Sequence, residues 1–219
     1  EGDKALLQFQ SWEKSKKNPC CRILRVLGSA DDPITHHLGL LAKYKLPSQF
    51  PKKVQAALDA IPTEVRPEDR KGRQDLRETF TITVDPVDAR DFDDALSLRK
   101  LKDGKVQVGV HIADVSAYVE AEKAIDQEAK RRGNSTYLVG EVVPMLPQKL
   151  SNGVCSLVEA EDRLAKSVLF TFNAKGEVIE QRLAETVIHS DKRLTYEQAK
   201  LLMDESDLGK IRSAKFLES

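Results

Sequence analysis

The stretch FTITVDPVDARDFDDALSLRKL, Phe80–Leu101, decides the fold of this chain. Its first five residues alternate between apolar and polar side chains, and this period of two predicts a β-strand. Its last residues, Leu96–Leu101, predict a second strand. Between the two lies the segment Asp85–Asp94, which holds five carboxylates and one cation in ten residues. The stretch therefore predicts two strands that are joined by a strongly acidic loop.

Downstream of this stretch the sequence predicts two hairpins and two helices. Asp103-Gly104 favours a tight turn into a strand over Val106–Ile112, because both residues tolerate positive φ. A second hairpin is predicted over Leu164–Phe172 and Glu177–Ile188. The predicted helices are Glu122–Arg132, which Gly133 would cap, and a final helix that begins with a capping box at Thr195-Tyr196-Glu197-Gln198.

Upstream, short runs that mix aliphatic and polar residues predict strands over Lys4–Gln10 and Cys21–Gly28, as in small barrels. A short helix from Ile34 to Pro47 and another over about Ser48–Ala60 follow, before a Pro-rich and charged connector. The chain is therefore expected to contain two units of fold class α+β.

The amino-acid composition limits the classes of protein to which this chain can belong. The chain of 219 residues has 40% hydrophobic and 32% charged residues and a mean hydropathy of −0.44, which is typical of a globular protein without membrane spans. Three cysteines at unpaired spacings predict neither a disulfide framework nor a zinc motif. Residues 1–56 carry ten Lys/Arg and five Asp/Glu, whereas the remainder is acidic by the same margin. A basic front suits phosphate groups and an acidic remainder suits cations, although a solvated charged surface gives the same counts.

The acidic loop is the main candidate site. Two like charges 4 Å apart repel each other by about 4 kcal/mol at an effective dielectric constant near 20, so clustered carboxylates need either solvation or a bound cation. Oxygen-only ligands suit Mg²⁺ or Mn²⁺ and indicate phosphodiester chemistry. The alternatives are a solvated acidic loop and a structural Ca²⁺ loop. Against the first, Phe92 and Ala95 place apolar residues inside the run; against the second, the Gly and the distal Glu of an EF-hand are missing.

Five further segments carry a resemblance to a known family. Together with the acidic run they are similar, in the same order, to segments of the catalytic domain of the ribonuclease II/ribonuclease R family of 3′→5′ exoribonucleases. These segments are Gly72–Arg77, His111–Ser116, Asn134–Tyr137, Pro144–Pro147 and Leu150–Leu157. The resemblance covers roughly Cys21–Glu197.

The resemblance implies a domain organisation and a set of site residues. Residues 1–46 resemble the end of a cold-shock, OB-type β-barrel, and residues 47–219 resemble the N-terminal part of the mixed α/β RNB domain. Tyr137 falls on the tyrosine that stacks near the 3′-terminal base. The family's four catalytic, metal-holding aspartates fall on Asp85, Asp91, Asp93 and Asp94.

The implied activity is hydrolysis of single-stranded RNA to nucleoside 5′-monophosphates with Mg²⁺ or Mn²⁺. The expected partner is RNA, not DNA or a membrane, in a cytoplasmic and monomeric enzyme. Because family members continue well past Ser219, this chain is expected to be a truncated front part with little or no activity of its own. An RNA-binding or regulatory protein that reuses the fold without catalysis is the alternative, and the four filled aspartate positions favour catalysis.

Other polar residues have less specific interpretations. His111 ends an apolar strand and is expected to be a hydrogen-bonded core histidine. Asp114 can either reach the site or form a buried, hydrogen-bonded carboxylate. Asp88 is left as an outer-shell candidate, Cys155 is expected in the core, and the pair His36-His37 lacks further ligands at zinc spacing.

Overall fold

The computed structural model describes residues 2–15, 17–47 and 49–204. Its strands in chain order, β1 to β11, are Asp3–Ser11, Cys20–Ser29, Gln74–Asp75, Thr81–Asp85, Asp94–Lys100, Val106–Ala113, Thr136–Leu138, Glu141–Val143, Asp162–Phe172, Val178–His189 and Lys192–Thr195. Its α-helices, α1 to α4, are Pro33–Lys43, Lys52–Asp59, Ala124–Arg132 and Tyr196–Met203. No helix in these ranges is long and apolar enough to cross a membrane.

The chain forms two compact units that do not follow chain order. One comprises the residues up to Pro51 together with Glu128–Met145, and the other comprises Lys52–Gln127 with the described residues from Leu146 onward. The first contains the antiparallel hairpins β1–β2 and β7–β8 and helix α1. The predicted α+β class is confirmed; in the described residues the two strands that were predicted for the barrel-type part form the hairpin β1–β2. The boundary predicted between residues 46 and 47 stays a prediction.

The second unit is built on one seven-stranded mixed sheet in the order β11-β4-β5-β6-β9-β10-β3. The two hairpins predicted from the sequence form its antiparallel centre, β5–β6 and β9–β10, and β6 pairs with β9. Both outer pairs, β11 with β4 and β10 with β3, are parallel. The turn at Asp103-Gly104 has φ of 60° and 70°, as that dipeptide predicts.

Most predicted elements are confirmed, but several boundaries differ: α1 ends at Lys43, before Pro47, and α3 begins at Ala124 and not at Glu122. Gly133 ends α3 with φ of 80°, and the capping box at Thr195 is formed. The helix predicted over Ser48–Ala60 is shorter, because α2 begins only at Lys52. Pro51 precedes it and disfavours helical conformation at Phe50. Ser48 itself lies outside the described residues.

A chain of buried hydroxyl and imidazole groups crosses the centre of the sheet. Its central residue is His111 on β6, which is fully buried, with Nε2 2.8 Å from Ser97 Oγ and Nδ1 2.6 Å from Ser167 Oγ. Ser167 Oγ continues to Thr186 Oγ1 at 2.7 Å. His111 is therefore the hydrogen-bonded core histidine that the sequence predicts, and the four residues hold four adjacent strands together.

We expect Gly109→Ala to destabilise the second unit by about 1–3 kcal/mol, the usual cost of overpacking a core. A methyl group on Gly109 would lie 2.6 Å from His111 Nε2 and closer still to Ser97 Oγ, and neither neighbour is the end of a flexible side chain. Urea unfolding measures the change. The matched control is Gly39→Ala in α1, where nothing lies within 4 Å and alanine favours the helix. Equal midpoints for Gly109→Ala and the parent would contradict the packing argument.

Candidate catalytic site

The acidic loop, residues 85–94, begins at the last residue of β4 and ends at the first residue of β5. A turn in which Ala89 N donates to Pro86 O at 3.1 Å carries the chain away from β4. Asp93 O then accepts from Ala113 N at 2.9 Å, at the end of β6. The loop therefore connects the two adjacent strands β4 and β5, at the end of the sheet where β4 ends and β5 begins.

Phe92 anchors the loop in the unit. Its side chain is 7% exposed, and its backbone N–H donates to Ser156 Oγ at 2.9 Å. Ser156 Oγ also donates to Arg90 O at 3.3 Å, and Leu157 N donates to Phe92 O at 2.9 Å. The apolar residue inside the acidic run is thus buried as the sequence predicts, whereas Asp88 and Asp94 of the same run are exposed.

The carboxylates of the loop repel one another. Burial raises the pKa of Asp85, and the charges of Asp94 and then Asp91 raise it further. Burial also raises the pKa of Asp93, again with contributions from Asp91 and Asp94. Asp91 and Asp94 thus act electrostatically on both Asp85 and Asp93, which links the four residues that the resemblance singles out into one electrostatic group.

The group has the character of a cation site. Asp85 Oδ2 is buried and makes no hydrogen bond of good geometry among the described residues, although the nearby Thr83 hydroxyl favours the charged form of this carboxylate. A cation would satisfy this oxygen and offset the repulsion. Within the ranges that the structure describes, no three Asp, Glu, His or Cys side chains lie close enough together to hold a metal ion by themselves. A Mg²⁺ ion at this loop would therefore need water or substrate phosphate in its shell.

Asp114 is a buried, hydrogen-bonded carboxylate, which is one of the two roles that the sequence left open for it. It is 2% exposed, accepts from Arg73 Nη2 at 2.7 Å and from Ser116 Oγ at 2.6 Å. Burial by itself would raise the pKa of Asp114, but the hydrogen bonds from Ser116 and Arg73 outweigh it and the pKa is lowered. Asp114 therefore ties the Arg73 segment to the end of β6.

The remaining candidates are placed as follows. Asp88 is exposed on the turn of the acidic loop, and its role stays a prediction. Cys155 is buried, as predicted, and burial raises the pKa of its thiol to about 12. In the first unit, His37 pairs with the carboxylate of Glu141, and His36 Nδ1 lies 2.7 Å from Lys4 Nζ.

Tyr137 lies in the first unit, on the short hairpin β7–β8. Its side chain is 68% exposed, and it pairs with Val142 across the hairpin. The general expectation for a Tyr between Thr136 and Leu138 is a half-buried strand position, and the observed exposure does not fit it. The ring can therefore contact a ligand such as a nucleic-acid base.

Two arginines that were not predicted as functional residues contact the segment after the β7–β8 hairpin and the acidic loop. Arg132, with a side chain 2% exposed, lies 3.7 Å over the Phe50 ring and donates to Pro144 O at 2.9 Å, directly after β8. Arg193 on β11 donates to Pro86 O and Val87 O in the acidic loop. Sequence offers no signal for either contact, because the partners are backbone carbonyls distant along the chain.

Comparison with known proteins shows the family of this chain. The model of the RNB domain matches residues 73–217, and that of a cold shock domain matches residues 1–51. The chain is 43% identical over 204 residues to Ribonuclease R of Thermotoga maritima. This match covers 92% of the chain and 29% of the relative, so the chain spans less than a third of the length of that protein.

The solved structures to which the chain is similar include a ribonuclease and a pseudonuclease. Mycoplasma genitalium RNase R in complex with double-stranded RNA matches with a TM-score of 0.83 and 29% identity, over 99% of this chain and 40% of that one. Yeast Ssd1, a pseudonuclease, matches with a TM-score of 0.72 and 18% identity over 96% of this chain and 28% of its own, and this likeness concerns the fold alone. Since the RNB model matches well over half of its residues, the chain belongs to the RNB-domain family of Ribonuclease R, with a cold-shock domain in front.

Proposed function

We propose that the protein which contains this chain is a metal-dependent 3′→5′ exoribonuclease that cleaves single-stranded RNA to nucleoside 5′-monophosphates. The observation that carries this proposal is the electrostatic group of Asp85, Asp91, Asp93 and Asp94 at one end of the sheet of an RNB domain. Clustered carboxylates are suited to divalent cations and, through them, to phosphate.

Each aspartate has a proposed task that follows from its place. Asp85, fixed at the end of β4 with one unsatisfied buried oxygen, and Asp91 and Asp93 would hold Mg²⁺ or Mn²⁺. The chemistry that such cations supply is activation of water and stabilisation of the leaving 3′ oxygen. Asp94 is exposed at the start of β5, where its carboxylate would either shape the second cation site or accept a hydrogen bond from the attacking water. Tyr137 would stack on a base without reading its identity.

The alternative function is RNA binding or regulation without catalysis. Yeast Ssd1, whose fold is similar, is a pseudonuclease. Against this alternative, all four aspartate positions are filled, and a protein that only binds RNA has no physical reason to retain mutually repelling carboxylates. A cytoplasmic location and a monomeric state stay predictions.

Degradation of end-labelled RNA tests the proposal. Single-stranded RNA labelled at its 5′ end is incubated with the purified full-length protein and Mg²⁺ or Mn²⁺, with EDTA and a DNA of the same sequence as controls. We expect a ladder that shortens from the 3′ end, release of nucleoside 5′-monophosphates and no cleavage with EDTA. Tight RNA binding without cleavage under either metal would favour the alternative function instead.

We expect Tyr137→Ala to leave a longer limit product of RNA degradation. One contact between an aromatic ring and a base contributes about 1–3 kcal/mol, which is a large share of the binding of a fragment of a few nucleotides but a small share for long RNA. End products resolved on a gel measure the change. The matched control, Val139→Ala, alters a fully exposed apolar residue of the same hairpin. Limit products of equal length in Tyr137→Ala and the parent would exclude a stacking role.

A further inference from the structure

A single side chain touches both ends of the acidic loop. Arg193 lies on β11, which pairs in parallel with β4, and its register partner is Thr83. Its Nη2 donates to Pro86 O at 2.6 Å and to Val87 O at 2.9 Å, where the loop leaves β4. Two carbonyls that share one cationic donor are held at a fixed separation.

The second contact of Arg193 is with the end of the loop. Its guanidinium carbon lies 5.2 Å from the centre of the Phe92 ring, within the range of a cation–π interaction. Phe92 is the residue immediately before Asp93-Asp94 and is itself buried. The guanidinium therefore bridges the first and the last part of the loop, with the carboxylates between and beside these contacts.

The backbone beneath Arg193 is held as well. Arg193 N donates to Glu159 Oε2 at 2.7 Å, and Lys192 Nζ lies 3.5 Å from the other oxygen of the same carboxylate. Glu159 thus fixes this end of β11 against the segment that follows Ser156. Ser156 itself bonds Arg90 O and Phe92 N, so the loop is held by two residues, Arg193 and Ser156.

The positive charge of Arg193 also opposes the repulsion between the carboxylates of the loop. The carboxylates of the loop repel one another, and a loop that carries them without a counter-charge would spread apart. Arg193 brings a positive charge that acts on Asp85 against the charges of Asp94 and Asp91. A lysine would supply the charge and a donor, but it has no planar group that can lie near the Phe92 ring while one of its nitrogens reaches both carbonyls.

We propose that Arg193 is a positioning residue for the catalytic carboxylates: it clamps Pro86, Val87 and Phe92 so that the four aspartates stay together in the absence of substrate. Its effect on hydrolysis rests on the proposed exoribonuclease function. Its effect on the order of the loop does not. The two effects therefore need separate measurements.

Amide hydrogen exchange tests the clamp directly. We expect Arg193→Ala to speed exchange of the amides of residues 87–92 by about tenfold or more, while the amides of β9 and β10 keep their rates, because only the loop loses a contact. Arg182→Ala, which removes an exposed arginine of β10, is the control and should change neither set. Unchanged exchange in residues 87–92 would overturn the proposal, as would an equal increase in every strand.

Metal binding and kinetics test the consequence for the site. Loss of a residue that orients ligands usually costs about 10–100-fold in metal affinity or activity. We expect Arg193→Ala to weaken Mn²⁺ binding, read from the electron paramagnetic resonance signal of free Mn²⁺, and to lower kcat by that factor with KM for long RNA within about threefold. A rise in KM with unchanged kcat would overturn the proposal, because it would make Arg193 an RNA contact.

Arg193→Lys separates the clamp from the charge. We expect fast loop exchange and weak Mn²⁺ binding to persist in this variant, which keeps the charge and is the milder change if Arg193→Ala fails to fold. Full recovery of both by lysine would contradict the clamp. If the parent enzyme itself shows no hydrolysis, the proposed function fails, whereas loop exchange and Mn²⁺ binding still decide the role of Arg193.

Discussion

Asp94→Asn is expected to lower the rate of RNA hydrolysis by about a hundred- to a thousandfold, while RNA affinity changes by less than about threefold. Loss of one preorganised group that acts on charge in the transition state costs a factor of this order. Affinity for RNA comes mainly from phosphate contacts and base stacking, and these do not involve Asp94. Hydrolysis under single-turnover conditions and filter binding of the same labelled RNA measure the two quantities.

The structure supports this choice of residue. Asp94 is exposed at the start of β5, so that an amide of the same shape disturbs no core contact. The matched control is Asp103→Asn, an exposed aspartate on the β5–β6 turn at the opposite end of the strand, in a left-handed conformation that asparagine tolerates. Hydrolysis by Asp94→Asn at a rate near that of Asp103→Asn would refute the proposed role of Asp94.

Acid is expected to destabilise the second unit through His111 by about 3 kcal/mol between pH 6.5 and pH 4. Burial lowers the pKa of His111 to about 4 from its usual 6.5, because the groups that surround it are the hydroxyls of Ser97, Ser167 and Thr186 and none is an anion. A difference of this size corresponds to about 3 kcal/mol at about 1.4 kcal/mol per pH unit.

The sign follows from which state binds the proton. Below pH 6.5 the unfolded chain protonates this histidine, whereas the folded chain keeps it neutral down to about pH 4. Stability is therefore complete above pH 6.5, falls as the pH drops towards 4, and falls no further from this source below that value. Urea unfolding at pH 7.5, 5.5 and 4 measures the slope.

The control for this prediction is His111→Gln, which has no titration in this range. It is expected to be less stable than the parent at pH 7.5, because the two serine contacts are altered, but to lose less stability between pH 6.5 and 4. Paired acidic residues such as Asp75, whose pKa the hydrogen bonds from Arg77 lower to about 2, contribute to the acid response of both proteins and cancel in the comparison. Parallel slopes for parent and variant would mean that His111 is not the group responsible.

Local patterns in the sequence were sufficient for most elements of this protein. Turn residues at Asp103-Gly104 and Gly133, the capping box at Thr195 and the alternation before Asp85 all act within a few residues, and the structure follows them. The acidic loop could likewise be predicted as a candidate site, because the density of charged residues along the chain is a property of the sequence alone. The family followed from several such segments in order.

Only the tertiary structure decided how distant segments meet. The parallel pairing of β11 with β4 brings Arg193 to the acidic loop, and residues 128–145 join the unit of the first 51 residues. The pairing of Asp114 with Arg73 resolved an alternative that the sequence left open. These contacts join backbone carbonyls, or charges far apart in the chain, and neither leaves a periodic pattern that a single sequence can display. The sequence by itself thus determined the elements, the acidic loop and the family, and the tertiary structure decided which side chains hold that loop in place.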